Sequence, residues 1–147
     1  SKKIYGFKID WEFMKIFLSM PITGFENIAP QMARNRKAAI ENILFPDRKD
    51  IEVITPYSFP HKDMNNVASS MGECIEVLLG CDAVYFADGY ENSKGCTLEH
   101  AAAKTYHIPI HYLSDELTKK FSHGVTKKEF LELIKAFFMI GEWKLFE

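Results

Sequence analysis

Residues 81–88, CDAVYFAD, form a near-continuous apolar run that breaks at once into GYENSKG and then into the alanine-rich stretch CTLEHAAAK. Without polar alternation, such a run suits a strand buried on both faces, the situation of an inner strand in a parallel sheet. Parallel strands cannot be joined by tight turns, so crossover helices must lie between them. The chain supplies the required alternation. MKIFLSM (14–20) reads as a first strand, QMARNRKAAIENILF (31–45) as a helix carrying Met32, Ala39, Ile40, Ile43 and Leu44 at helical spacing, and IEVITP (51–56) as a β-branched strand closed by Pro56. VASSMGECIEVLLG (67–80) reads as a helix with Val67, Met71, Cys74, Ile75, Leu78 and Leu79 inward and Gly80 at its end. DAVYFA (82–87) is the third strand, GCTLEHAAAKTYH (95–107) a helix, and IPIHYL (108–113) a fourth strand whose Pro109 suits an edge or a strand opening. TKKEFLELIKAFFMIGEW (126–143) reads as a final amphipathic helix with Phe130, Leu131, Ile134, Phe137 and Phe138 on one stripe. The expected fold is α/β: a small doubly wound, flavodoxin- or Rossmann-like parallel sheet of four or five strands with helices on both faces.

With 147 residues and no repeats or linker-like tracts, residues 14–147 are read as one domain. Residues 1–13 are read as an N-terminal extension: an added edge strand, an arm or a leftover, which the sequence does not decide.

Sheets of this kind bind ligands beyond the carboxyl ends of their strands, where the strand order switches. Two loops leave such ends with unusual composition, SMPITGFEN (19–27) and DGYENSKG (88–95), and flavodoxin-like order sets them face to face. The second has the makings of an anion site. Ser93 offers a hydroxyl, Lys94 a charge, Gly95 close backbone approach, and the following helix its free N–H groups and positive dipole end. Ser93 is equally suited to capping that helix. Glu99, one turn in, is favourable with the dipole alone, but the small residues after it draw the helix close to the sheet and aim the carboxylate over the strand ends. There a carboxylate can attack an anomeric carbon or stabilise an oxocarbenium ion.

The segments CDAVYFADGYENSKGCTLEHAAA and IFLSMPITG together resemble the nucleoside 2-deoxyribosyltransferase superfamily, nearest to its branch of small phage and gut-bacterial proteins and related to the 2′-deoxynucleoside 5′-phosphate N-hydrolases. The likeness covers roughly residues 14–113. It implies that Glu99 is the catalytic glutamate that forms a glycosyl ester at C1′. It also implies that Ser93, where the transferases carry an aspartate for a free 5′-hydroxyl, receives a 5′-phosphate as in the N-hydrolases. Ser19, Pro21, Thr23 and Gly24 then belong to the segment that closes over sugar and base. The chain departs from the pattern at three positions: Cys74 stands where many relatives have an aspartate, Thr97 replaces a common glycine, and Met20 replaces the glycine of the SGPMTG loop typical of that branch. Tyr90 stands in for a tryptophan.

Among the remaining polar residues, Asp88 and Glu91 lie in the crevice loop and suit a sugar hydroxyl or protonation of the leaving base. Tyr90, Lys94 and Gly95 complete the expected substrate-binding set, with Asp88 beside Glu99 as the catalytic pair. Asp82 reads as structural, Arg34 and Arg36 as a solvated helix face from which either could reach a phosphate, and Phe25, Tyr57 and Phe59 as loop aromatics able to stack on a base. The five histidines and three cysteines show no metal-ligand spacing, so neither a metal nor a cofactor is expected. A net charge of −2 gives no electrostatic case for nucleic acid or a membrane surface. The opening SKKIYGFKIDWEF lacks the apolar core of a secretion signal, and cysteines Cys74, Cys81 and Cys96 suit reduced thiols, so a cytoplasmic protein is expected.

The expected activity is hydrolysis of the base–sugar bond of a nucleoside 5′-monophosphate. The alternatives are a nucleotide-binding module without turnover and a deoxyribosyltransferase, the last disfavoured by Ser93. The apolar C-terminal stretch FFMIGEWKLFE exceeds what one helix face buries in a small domain, and with the resemblance it predicts a homodimer or larger oligomer. Light scattering at micromolar concentration is expected to give at least twice the 16.9 kDa chain mass, and a monomer would contradict this.

Overall fold

The computed structural model describes residues 14–63 and 65–137, with side chains to residue 134, and the backbone of residues 2–4 and 7–9. Two short strands, β1 (Lys2–Ile4) and β2 (Phe7–Ile9), pair antiparallel in a sheet of their own. The main sheet holds four parallel strands: β3 (Met14–Ser19), β4 (Ile51–Ile54), β5 (Ala83–Phe86) and β6 (Ile110–Tyr112), in the spatial order β4-β3-β5-β6. Pairing Ile16 with Ala83 and Ser19 with Phe86 brings the carboxyl ends of β3 and β5 level. The strand order therefore switches between β3 and β5, the flavodoxin-like arrangement, and the doubly wound α/β fold is as the sequence predicts.

Alternation along the inner strands feeds two cores. Ile16 and Leu18 of β3 and Ala83 and Tyr85 of β5 face one layer, formed by α1 (Ala29–Ala39) with its π-helical continuation Ile40–Leu44, α4 (Leu113–Ser122) and α5 (Lys127–Phe137). Phe17, Val84 and Phe86 face the other, formed by α2 (Val67–Leu79) and α3 (Lys94–Thr105). Residues 83–87 are buried without exception, as expected for a strand covered on both faces. At the edge, Pro109 precedes β6 and still contributes, its carbonyl accepting from Val84 N–H at 2.9 Å. Asp82 is structural: its Oδ2 accepts from Lys15 N–H at 2.7 Å while its own N–H donates to the Lys15 carbonyl.

The helices begin where local chemistry satisfies their free N–H groups. Pro30 lies in the first turn of α1, Asn66 caps α2 by accepting from Ser69 N–H, Ser93 caps α3, and Thr126 with Glu129 forms a reciprocal capping box on α5. α1 starts two residues before the expected helix because Pro30, read as loop, occupies a position that tolerates its missing N–H. α4 occupies a stretch to which the sequence reading assigns no element. β6 runs into it without a glycine or proline, so Leu113 reads as strand although Leu113 and Leu117 form its buried face. Two inward assignments are corrected. Val67, in the first turn of α2, is 76% exposed, and in α5 Leu133 is buried while Phe130 is exposed. Phe138 and most of the apolar C-terminal stretch lie outside the described residues. Among the described residues, no helix is long and apolar enough to cross a membrane.

Candidate active site at the strand ends

Glu99 lies on α3 in register with Cys96 and Ala103, a stripe of spacing three and four that faces the sheet. The carboxylate is consequently only 5% exposed, over the end of β3. Ser19, the last residue of β3, is fully buried, and its hydroxyl donates to Glu99 Oε1 at 3.0 Å. The other oxygen, Oε2, is buried with no hydrogen-bond partner among the described residues. One oxygen is thus held and the other is free.

Burial raises the Glu99 pKa from the ordinary 4.5 to about 7, and the Ser19 hydrogen bond, which favours the ionised form, opposes that rise. At neutral pH the group is divided between its protonated and ionised forms, so it can give up or take a proton near pH 7.

The two expected loops do meet. A Cβ placed on Gly89 would lie 3.6 Å from Pro21 Cγ, and Ala87 N–H donates to the Ser19 carbonyl at 2.9 Å. Gly89 and Gly24 hold φ of +84° and +90°, the left-handed region that only glycine enters freely, so both turns depend on them. Thr23, Gly24, Asp88, Glu91 and Lys94 are exposed around the rim, and Ser93 is half-buried at the helix start. Ser93 Oγ accepts from Cys96 N–H at 3.2 Å, which makes it the cap of α3 and leaves its own proton to donate.

Gly95 packs against α2: a Cβ there would come within 3.2 Å of Met71 Sδ. Tyr90 joins an aromatic column at the β5–β6 edge, stacked on His100 at 5.4 Å and on Tyr112 at 5.4 Å, with His100 Nε2 at 3.0 Å from the Tyr112 hydroxyl. Of the loop aromatics, Phe25 and Tyr57 are exposed, whereas Phe59 is turned inward onto His61, at 4.7 Å.

Three residues contribute more than the sequence reading gave them. Cys74 is buried in α2, its thiol pKa pushed up to about 12 by burial and by the nearby charges of Glu99 and Glu73. Cys96 is buried beside Ser19 and Ser93, and burial pushes its thiol pKa up against the opposing effect of those two hydroxyls. Arg36, read as solvated, is only 8% exposed. The signal was present, since Ala29, Ala33, Arg36, Ile40 and Ile43 form one stripe of spacing three and four. Arg34 is exposed and donates to Gln31.

A family model described as a domain of unknown function (DUF4406) matches residues 14–112, from the first residue of β3 to the last of β6. No curated protein and no solved structure matches the chain.

Folded chains keep the Glu99 proton to about pH 7, whereas unfolded chains release it near 4.5. Between those values the folded state binds more protons, so stability is greatest below the window, falls as pH rises across it, and levels off above it. Denaturant titrations from pH 4.5 to 8 are expected to show such a decline, on the order of 1–3 kcal/mol beyond that of Glu99→Gln. Parallel profiles for the two proteins would mean that the carboxyl is not buried.

Proposed function

We propose that this chain, which belongs to the DUF4406 family, is an N-glycosidase acting on a nucleoside 5′-monophosphate in the cytoplasm, through Glu99. The observation that carries the reading is the asymmetry of the carboxyl: Oε1 fixed by Ser19, Oε2 unpartnered, and ionisation poised near neutrality. The resemblance to nucleoside 2-deoxyribosyltransferases and to the 5′-phosphate N-hydrolases gives that asymmetry its chemistry.

Ionised Glu99 directs Oε2 at C1′, the C1′–N bond breaks as the C1′–O bond forms, and the electron pair leaves with the base. The base nitrogen takes a proton from water or from Asp88, which stands exposed after β5. Water then cleaves the ester, restoring the carboxylate and releasing the sugar 5-phosphate. Ser19 orients the nucleophile and, by favouring its ionised form, sets the pH at which it acts. The start of α3 receives the phosphate, with Ser93 as a hydroxyl donor. Small-molecule nucleotides are the partners this reading requires, and nucleic acid and membranes are not among them.

One observation favours a second reading, a nucleotide-binding module without turnover. Where many of the resembled enzymes have an aspartate, Cys74 presents a thiol whose pKa is pushed up to about 12, and such a group neither protonates a base nor orients Glu99 as a carboxylate would.

Each common and modified nucleoside 5′-monophosphate, incubated with wild type and with Glu99→Ala, is assayed for free base by chromatography. The expected outcome is release by wild type with a pH profile rising through about 7, and a loss of about 10³-fold or more in Glu99→Ala. No release from any nucleotide, together with a thermal shift caused by one of them, would select the binding module.

A further inference from the structure

Arg36 projects from the inward stripe of α1, and a guanidinium keeps its charge at any working pH. Burying such a charge is costly unless a counter-charge and hydrogen-bond acceptors come with it. Arg36 has neither in full. Its Nη1 is buried with no hydrogen-bond partner, and no carboxylate lies within ion-pairing distance of it, both among the described residues. The loss of solvation lowers its pKa, and of the two neighbours that oppose this, Asp88 and Cys96, only the carboxylate of Asp88 is charged near neutrality. Those two neighbours fix the location. Asp88 follows β5 and Cys96 lies in the first turn of α3, so the guanidinium, reaching from the other face of the sheet, lies near enough to the strand ends and the helix start to feel both.

The twelve residues of α3 direct a positive dipole end and unpaired N–H groups at the same place, and Ser93 keeps a proton to donate. A buried, unpartnered guanidinium from α1 and the free N–H groups of α3 thus belong to the same end of the sheet. A tetrahedral oxyanion, with oxygens pointing several ways, meets such an arrangement better than a planar carboxylate. Lys94 is exposed, so its charge is screened, and Asp88 on the rim is screened likewise. The buried charged groups of the site are Arg36 and, when ionised, Glu99, and of these only Arg36 attracts an anion.

We infer that Arg36 is an anion ligand of this crevice, supplying the buried counter-charge for a phosphate monoester seated at the start of α3. The inference rests on the nucleotide reading above and names the side chain that distinguishes a nucleotide from a nucleoside. It adds a charged, buried contact to a phosphate site otherwise built from one hydroxyl and backbone.

Binding of inorganic phosphate and of a nucleoside 5′-monophosphate is measured by calorimetry on wild type, Arg36→Gln and Arg36→Lys, with circular dichroism to confirm folding. Both ligands are expected to bind Arg36→Gln at least about tenfold more weakly, with Arg36→Lys between, while affinity for the corresponding nucleoside is unchanged. Should Arg36→Gln fail to fold, the wild type still decides. The Arg36 Nε–H resonance, assigned by its absence in Arg36→Lys, is expected to move on phosphate titration. Equal phosphate affinity in wild type and Arg36→Gln, a resonance that stays put while phosphate binds, or no binding of phosphate to wild type would each overturn the inference. Base release that persists alongside unchanged phosphate affinity in Arg36→Gln would overturn it alone and leave the glycosidase standing. Arg36-dependent binding without base release from any nucleotide would do the reverse.

Discussion

The hydrogen bond from Ser19 Oγ to Glu99 Oε1 joins groups 80 residues apart and ties the end of β3 to the first turns of α3. Everything at the strand ends depends on it. A carboxyl buried at 5% exposure needs a donor, and the sheet supplies one at the position where backbone pairing between β3 and β5 is ending. With both oxygens satisfied, Glu99 would be a structural residue. With neither satisfied, it would stay protonated well above neutrality. One donor for two oxygens leaves a carboxyl that is held in place, yet titrates near pH 7 with an oxygen to spare.

The fold imposes this geometry through a few local choices. Parallel pairing at level carboxyl ends brings the loops after β3 and β5 together, and left-handed glycines at 24 and 89 let both turn sharply. Gly95 lets α3 approach α2, since a side chain there would press on Met71. That packing, with Cys96 and Ala103 as small inward residues, seats Glu99 over the strand rather than in solvent. Capping of α3 by Ser93 sets where the helix begins, and so how far into the crevice the carboxyl stands. The site follows from the packing of the sheet and needs no separate scaffold.

Much of this was legible because buried parallel strands leave an unbroken apolar signature, as residues 83–87 do, and because glycine-bearing loops mark strand ends. Glu99 stood out as a charge in a stretch of small residues. The less legible parts have physical causes. α4 was hidden because β6 passes into it without punctuation, so Leu113 fits both a strand and a helix. Arg36 was misread because charge outweighed position, although the stripe Ala29, Ala33, Arg36, Ile40, Ile43 places it inward. Tyr90 reads as a ligand contact from its loop alone, and only the tertiary arrangement shows it stacked on His100 and Tyr112. That Cys74 on α2 stands near enough to Glu99 on α3 for the carboxylate to act on its thiol has no local sequence signal.

The account stands or falls on the state of one carboxyl group. Selective ¹³C labelling of glutamate side chains, with Glu99 identified by the signal lost in Glu99→Gln, allows its titration to be followed directly by NMR. The account requires a midpoint near 7, set by burial and moderated by Ser19. A midpoint at or below the ordinary value of 4.5 would show a solvated or fully paired carboxylate, and would contradict both the buried site and the chemistry built on it.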